Sequence, residues 1–265
     1  MPAWGVAMSS NQLGLRPASA TASPCKICEG PSELYGVVDL HRPCEIPGGV
    51  RPPLSGVPVY YRRCAACGFL FTDAFDDWRE DQFKTHIYND GYHVFDPDYQ
   101  TVRPNGNASV VANLWARHKA SMRVLDFGGG NDVFCTALRA SGFSEAVTYD
   151  PMVPEHACRP EGKFDLVTCF ETLEHLPDPV AGIARIVDCV AEPGAVLYST
   201  LTQPADFDRY GMSWWYVGPR NGHISMFTKQ ALTLAWARHG FKTAALNEGT
   251  HLAFRTLPES WGLAL

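Results

Sequence analysis

The sequence predicts an α/β fold: a doubly wound, mostly parallel sheet preceded by a small cysteine-bearing module. Three observations predict it. Short apolar runs rich in branched residues lie at 123–127, 146–149, 165–169 and 195–201, as strands buried on both faces require. Helical patterns alternate with them, the sign of a parallel sheet with covering helices. Three consecutive glycines, Gly128, Gly129 and Gly130, follow the first of these runs, and two CxxC pairs stand far ahead of it.

The elements follow in order. Residues 1–23 are rich in Ser, Ala and Pro and read as a disordered tail, in which Met8 is an alternative start. Residues 24–72 hold the CxxC pairs around a Pro- and Gly-rich middle. Residues 73–119 are acidic and aromatic, a linker or lid region ending in a helix near 108–119. Residues 120–265 carry the alternating strands and helices. A helix over 178–192 places Val180, Ile183, Ala184, Val187 and Val190 on one face, with Pro193-Gly194 to stop it. Another runs from Thr228, a suitable N-cap, to His239, with Gly240 closing it.

Composition sets the class. Hydrophobic residues make up 46% and charged residues 19%, which suits a chain with a real core. No run of 18 apolar residues is present, so no segment is expected to span a membrane. The N-terminus lacks a basic start followed by an apolar block, so no secretory signal is read there. Nine cysteines, an odd number, then fit a reducing cytoplasmic compartment. Net charge is −6, and residues 1–100 hold 8 Lys and Arg against 12 Asp and Glu. Such a surface is ill suited to phosphate, which argues against a nucleic-acid partner.

The stretch VLDFGGGND (124–132) ends a strand in Asp126 and turns through Gly128–Gly130 into a helix. Glycines let the backbone turn sharply and approach a ligand closely. In open α/β sheets that ligand lies beyond the carboxyl ends of the strands. A second strand ends in Asp150, an acid placed to accept hydrogen bonds from ribose hydroxyls. A pyrophosphate loop carries a third glycine where this chain has Asn131-Asp132, and a carboxylate there repels phosphate. A cationic sulfonium ligand is compatible, and a nicotinamide dinucleotide is disfavoured.

With these pieces in place, residues 120–250 resemble a class I (Rossmann-like) S-adenosylmethionine-dependent methyltransferase. The resemblance rests on VLDFGGGND, Asp150, FDLVTCFETLEHLPDP (164–179) and AEPGAVLYST (191–200). It implies that Asp126, Gly128, Gly129 and Gly130 line the methionine portion of the cofactor and that Asp150 holds the ribose. It also implies that Phe170 and Glu171 lie under the cofactor. Only 14 residues separate Asp150 from Asp165, too few for a normal helix plus strand, and the acid that meets the adenine amine in that family has no counterpart.

Cys25-Lys-Ile-Cys28 and Cys64-Ala-Ala-Cys67 can place four thiolates around one tetrahedral Zn²⁺, with Gly30 and Gly68 suited to the turn after each knuckle. Four protein ligands close the metal, so the site is expected to be structural. His41 and Cys44 lie between the pairs as possible substitutes for one ligand. The arrangement resembles small-molecule methyltransferases, sugar C-methyltransferases among them, that carry an N-terminal four-cysteine zinc module.

Methyl transfer needs a held nucleophile, excluded water and, for a protonated acceptor, a base. Glu171, Glu174 and His175 follow the fourth strand. An aromatic insert at 206–227 follows the fifth and contains Tyr210, Trp214, Trp215, Tyr216 and His223. His223 or His175 is expected as base, with Tyr216 and Glu171 beside them, and the insert is expected to face a small-molecule substrate such as a sugar or secondary-metabolite intermediate. The segment 87–99 is expected to form part of a lid or to pack between the modules. An RNA base methyltransferase and an inactive zinc-containing binding protein are the competing readings. The sequence does not specify the oligomeric state.

Overall fold

The computed structural model describes residues 12–19, 22–45 and 49–263. The question of Met8 lies outside them. The chain divides into two compact units. Unit 1 comprises residues 1–96, 174–180 and 201–235, and unit 2 comprises 97–173, 181–200 and 236–265. The expected linker over 73–119 is therefore split after Asp96, and the aromatic insert belongs with the cysteine-bearing segment.

Unit 2 contains a six-stranded sheet in the order β10-β11-β8-β7-β5-β6. Its strands are β5 (Arg123–Phe127), β6 (Glu145–Tyr149), β7 (Phe164–Phe170), β8 (Val190–Ser199), β10 (Lys242–Ala245) and β11 (Thr250–Phe254). β5 pairs in parallel with β6 on one side and β7 on the other, and β7 pairs in parallel with β8. β11 runs antiparallel to both β8 and β10, so five of the six strands share a direction. The mostly parallel sheet is borne out. The chain leaves β5 for β6 on one side and then crosses to β7, which puts the switch in winding at the end of β5, where such sheets bind ligands. No helix follows β6, where only a 3-10 turn at Pro154–His156 precedes β7, as the 14-residue spacing required. Helix α2 (Val102–Leu114) buries Ala108 and Val111 with Trp115, Phe134, Leu138, Leu166 and Leu197. It starts earlier than the expected 108–119.

The helix expected over 178–192 is shorter. α4 covers Pro179–Val187, and Val190 already begins β8. Pro193-Gly194 lies inside β8 and does not stop the helix. A Cβ on Gly194 would lie 2.6 Å from the Ala191 carbonyl and 2.9 Å from that of Asp165, so close backbone approach is what selects glycine there. β8 also ends at Ser199, short of the expected Leu201. The helix after Thr228 stands, as α6 (Lys229–Ala237): Thr228 Oγ1 accepts from the Ala231 amide at 3.0 Å, and Gly240 takes φ +76°.

Unit 1 contains an antiparallel sheet in the order β1-β2-β3-β4-β9. β1 (Ser23–Pro24), β2 (Pro31–Asp39), β3 (Pro58–Cys64) and β4 (Leu70–Phe71) come from the cysteine-bearing segment. β9 (Ser225–Met226) comes from the aromatic insert, with Leu70 opposite Met226 and Phe71 opposite Ser225. Phe69 meets Phe71 at 5.2 Å and Phe227 at 5.0 Å. Trp214, Tyr216 and Phe207 are buried, whereas Tyr210 and Trp215 are exposed. The insert thus contributes Phe207, Trp214 and Tyr216 to the core of unit 1. Short turns at Gly211–Ser213 and Pro219–Asn221 bend it. Helix α1 (Glu80–His86), the short α5 (Phe207–Tyr210) and most of α6 also belong to this unit.

The described part of the tail is also ordered. Leu13 and Leu15 are buried, the Trp78 indole N–H donates to the Leu13 carbonyl at 3.1 Å, and Arg16 pairs with Asp76 and Asp77. Two leucines on a ring-lined surface outweigh the flexible composition around them. Leu13→Ala is expected to lower unfolding stability by about 2–3 kcal/mol, measured by urea denaturation.

Candidate active and metal-binding sites

In unit 2, β5 ends in a turn that tolerates little besides glycine. Gly128 and Gly130 take φ of +77° and +61°. A Cβ on Gly129 would fall 2.3 Å from Asp126 Oδ2, whereas one on Gly130 would meet nothing within 4 Å, so the turn is closed on one side and open on the other. The Gly128 amide donates to the Tyr149 carbonyl at 2.8 Å, and the Gly130 amide donates to Asp150 Oδ2 at 3.0 Å. Asp150 Oδ1 accepts from the Met152 amide at 2.7 Å. Asp150 therefore does something the sequence did not suggest: it ties the second strand's end to the glycine turn. Carboxylate oxygens keep further acceptor capacity.

Two acids beside this turn, Asp126 and Asp132, are shifted in opposite directions. Asp126 is buried and accepts from Thr168 Oγ1 at 2.7 Å. Burial raises its pKa from 3.8 to about 7, against the Thr168 hydrogen bond and with help from the charges of Asp150 and Asp132. Asp132 sits in the left-handed region at φ +61°. Burial pushes its pKa up, but hydrogen bonds from Arg139, Thr148 and Thr136 hold it below the ordinary value. Because Arg139 meets its charge at 2.6 Å, Asp132 is a weaker deterrent to phosphate than its sequence position implied.

Phe170 packs edge-on against Phe134 at 5.5 Å. Glu171, just past β7, takes φ +47°, unusual for a side chain of its length. Ser199 holds it there, its Oγ accepting from the Glu171 amide at 2.9 Å and donating to Glu171 Oε1 at 2.6 Å. Sequence reading missed Ser199, Thr168 and Arg139, since each earns its place only through strand pairing or a helix turn.

In unit 1, the sulfurs of Cys25, Cys28, Cys64 and Cys67 all lie within 4.8 Å of one another. Cys25–Cys67, Cys28–Cys64 and Cys28–Cys67 separations are 3.7, 3.5 and 3.6 Å. Four bonds of about 2.3 Å in a tetrahedron give sulfur–sulfur edges of about 3.8 Å, so the donor set fits Zn²⁺ without rearrangement. The hydrogen bond between Cys25 and Cys67 pushes the Cys25 thiol down to about 5 and that of Cys67 up. Gly68 takes φ +71° after the second knuckle as expected, but after the first it is Glu29, at +62°, that turns left-handed instead of Gly30. A Cβ on Gly30 would meet Ala66 Cβ at 3.3 Å and Cys28 Sγ at 3.4 Å, so Gly30 serves close packing of the knuckles. His41 and Cys44 are not in the cluster: His41 Nδ1 donates to the Pro53 carbonyl at 3.1 Å, and Cys44 Sγ lies 3.3 Å from His223 Nδ1.

Unit 1 also brings together His175, His223, Tyr216 and Glu174. His175 Nδ1 donates to the Gly222 carbonyl at 3.0 Å, and His223 Nδ1 donates to the Tyr216 carbonyl at 2.9 Å. A carbonyl only accepts, so Nδ1 carries a proton in both rings. Their ring centroids are 5.0 Å apart, and Tyr216 lies 4.1 Å from His223. The Tyr216 hydroxyl donates to Glu174 Oε1 at 2.5 Å, and Glu174 is fully buried. From the segment expected to be a lid, Tyr88 stands edge-on to His175 at 5.9 Å and Tyr92 donates to the Asn221 carbonyl at 3.3 Å.

Comparison with known proteins gives a consistent picture. Residues 99–257 match a family model described as a methyltransferase domain. The ubiquinone biosynthesis O-methyltransferases of Escherichia fergusonii and Escherichia coli are each 33% identical over 139 residues, covering 48% of this chain and 55% of theirs. The chain thus spans about half the length of these relatives. Among solved structures, magnesium protoporphyrin IX methyltransferase from Synechocystis aligns over 67% of this chain and 98% of its own, with 18% identity and a TM-score of 0.46. Among the described residues, no helix is long and apolar enough to cross a membrane.

The folded chain binds the Asp126 proton more tightly than the unfolded chain does. Stability from this group is therefore full below about pH 4 and is lost as pH rises through about 7. Urea denaturation between pH 5 and 8 is expected to show this fall in the wild type and a flatter profile in Asp126→Asn.

Proposed function

The chain belongs to the class I S-adenosylmethionine-dependent methyltransferase family, and from that premise we propose that it transfers a methyl group from S-adenosylmethionine to a small-molecule acceptor, such as a sugar or a secondary-metabolite intermediate. The observation that carries the reading is the grouping of two imidazoles in unit 1, His175 half-buried and His223 buried, each with its Nδ1 proton held by a backbone carbonyl. The names of the ubiquinone-biosynthesis relatives and the acidic first hundred residues support a small acceptor over RNA.

Asp126, Gly128, Gly129, Gly130, Asp150, Phe170 and Glu171 are the residues that would hold the cofactor. The open side of Gly130 and the cramped side of Gly129 suit a ligand lying against bare backbone. Bound there, the cofactor supplies an electrophilic methyl. Asp150 accepts from ribose hydroxyls while keeping its bond to the Gly130 amide. Glu171 and Phe170 flank the cofactor at the end of β7. His223 or His175 accepts the proton of the acceptor at Nε2, as Tyr216 and Glu174 orient the pair. Cys25, Cys28, Cys64 and Cys67 hold a structural Zn²⁺ that stiffens the module over residues 24–72.

Two experiments test these assignments. His223→Gln is expected to lower kcat by about 100-fold or more while calorimetry shows S-adenosylmethionine affinity within about threefold of wild type, and Asp150→Ala is expected to weaken that affinity by tenfold or more. Unchanged turnover in both His223→Gln and His175→Gln would remove the histidines from the chemistry. For the zinc, Cys25→Ser is expected to lose one equivalent of Zn²⁺ by elemental analysis and to lower the melting temperature, because binding energy at a structural site is folding energy.

A further inference from the structure

We propose that Glu174, His175 and His223 form a second metal site, for a single divalent transition-metal ion of the Zn²⁺ or Co²⁺ type, chemically distinct from the four-sulfur cluster. One carboxylate oxygen and one nitrogen from each ring lie within 4.8 Å of one another. A tetrahedral ion with bonds of about 2.1 Å needs edges of about 3.4 Å, so the trio closes on the ion by a contraction of at most about 1.4 Å.

The support around the trio is what a metal site requires. A ligating imidazole commonly donates its other N–H to a carbonyl or carboxylate, which fixes the tautomer and aims the ring. Both rings here do so, His175 to Gly222 and His223 to Tyr216. The Gly222 carbonyl is available because residue 222 is glycine at φ +84°: a Cβ would lie 2.7 Å from the Tyr88 hydroxyl and 3.0 Å from His175 Nδ1. Glu174 is braced by the Tyr216 hydroxyl at Oε1 and by its own backbone, whose carbonyl accepts from the Ile224 amide at 2.9 Å. A fully buried carboxylate is stable against a cation or in a strong hydrogen-bond network, and an ion beside two imidazoles supplies the first. Imidazole and carboxylate together suit Zn²⁺, Co²⁺, Ni²⁺ or Fe²⁺ more than Ca²⁺ or Mg²⁺. Cys44 Sγ lies nearer Nδ1 (3.3 Å) than Nε2 (4.0 Å) of His223, so it supports the ring from the protonated side and is not counted as a ligand.

A ligated imidazole takes no proton. Occupancy of this site and the base role proposed above therefore alternate on the same nitrogens, and a bound ion holds the enzyme back. That consequence rests on the methyltransferase reading; the existence of the site does not.

The test reads metal directly. The full-length chain, stripped and titrated with Co²⁺, is expected to take two equivalents: one with strong thiolate-to-cobalt bands in the near ultraviolet, the other with weak visible bands alone. His175→Ala is expected to take one equivalent and keep the thiolate bands. If circular dichroism shows that His175→Ala does not fold, Glu174→Gln serves the same purpose. Saturation of the wild type at one equivalent, or two equivalents retained in a folded variant, would overturn the proposal whether or not the chain proves to transfer methyl groups.

Discussion

Two backbone carbonyls decide what the histidines of this protein can do. An imidazole facing a hydroxyl can take either tautomer, but one facing a carbonyl must present N–H. Gly222 and Tyr216 supply those carbonyls, to His175 and His223 respectively. The rest of unit 1 keeps them in place. The Gly222 amide donates to Pro219, the Ile224 amide donates to Glu174, and the Tyr61 hydroxyl donates to the His223 carbonyl at 2.8 Å. The pairing of β4 with β9 anchors the next two residues, and the Ser225 hydroxyl donates to the Leu176 carbonyl at 2.8 Å. The orientation of two imidazoles is thus a property of a whole antiparallel sheet and of one glycine whose missing Cβ leaves room for His175 and Tyr88.

Unit 2 uses a different device, the separation of three neighbouring acids by their surroundings. Asp126, Asp132 and Asp150 crowd one glycine turn, and the charges of Asp150 and Asp132 add to the burial that raises the Asp126 pKa. Burial protonates Asp126 more readily, Arg139 keeps Asp132 charged, and Asp150 spends its oxygens on the Gly130 and Met152 amides. A cationic ligand would favour loss of the Asp126 proton, which links its binding to pH through a residue with one hydrogen-bond partner among the strands, Thr168 of β7.

How much of this was legible in the sequence follows from which interactions are local. Strand β5 and the glycine turn were readable because branched apolar runs and consecutive glycines act within a few residues. The cap at Thr228 was readable for the same reason. The end of α4 was misread because Pro193-Gly194 looks like a helix stop, when its true constraint is the approach of the Ala191 and Asp165 carbonyls. The burial of the insert's Phe207, Trp214 and Tyr216 was invisible because the insert joins its unit through β9 meeting β4, a pairing across more than 150 residues that no local pattern reports. The structure brings His175, His223 and Tyr216 together, but Ser199 and the supporting carbonyls were invisible. A backbone oxygen has no letter in the sequence.

Glu171 shows why strain is informative here. A left-handed backbone costs a long side chain of order 1 kcal/mol, and such cost persists only where surrounding bonds over-determine it. Ser199 makes two hydrogen bonds to this one residue, a backbone bond and a carboxylate bond. The simpler arrangement, with glycine at 171, would relieve the strain and lose the carboxylate. The fold therefore gives up stability to keep a carboxylate at the carboxyl end of β7, beside the strand whose exit bears the glycine turn. That exchange makes sense for a group that must meet a ligand and has no evident purpose in a turn that merely connects a strand to the next segment.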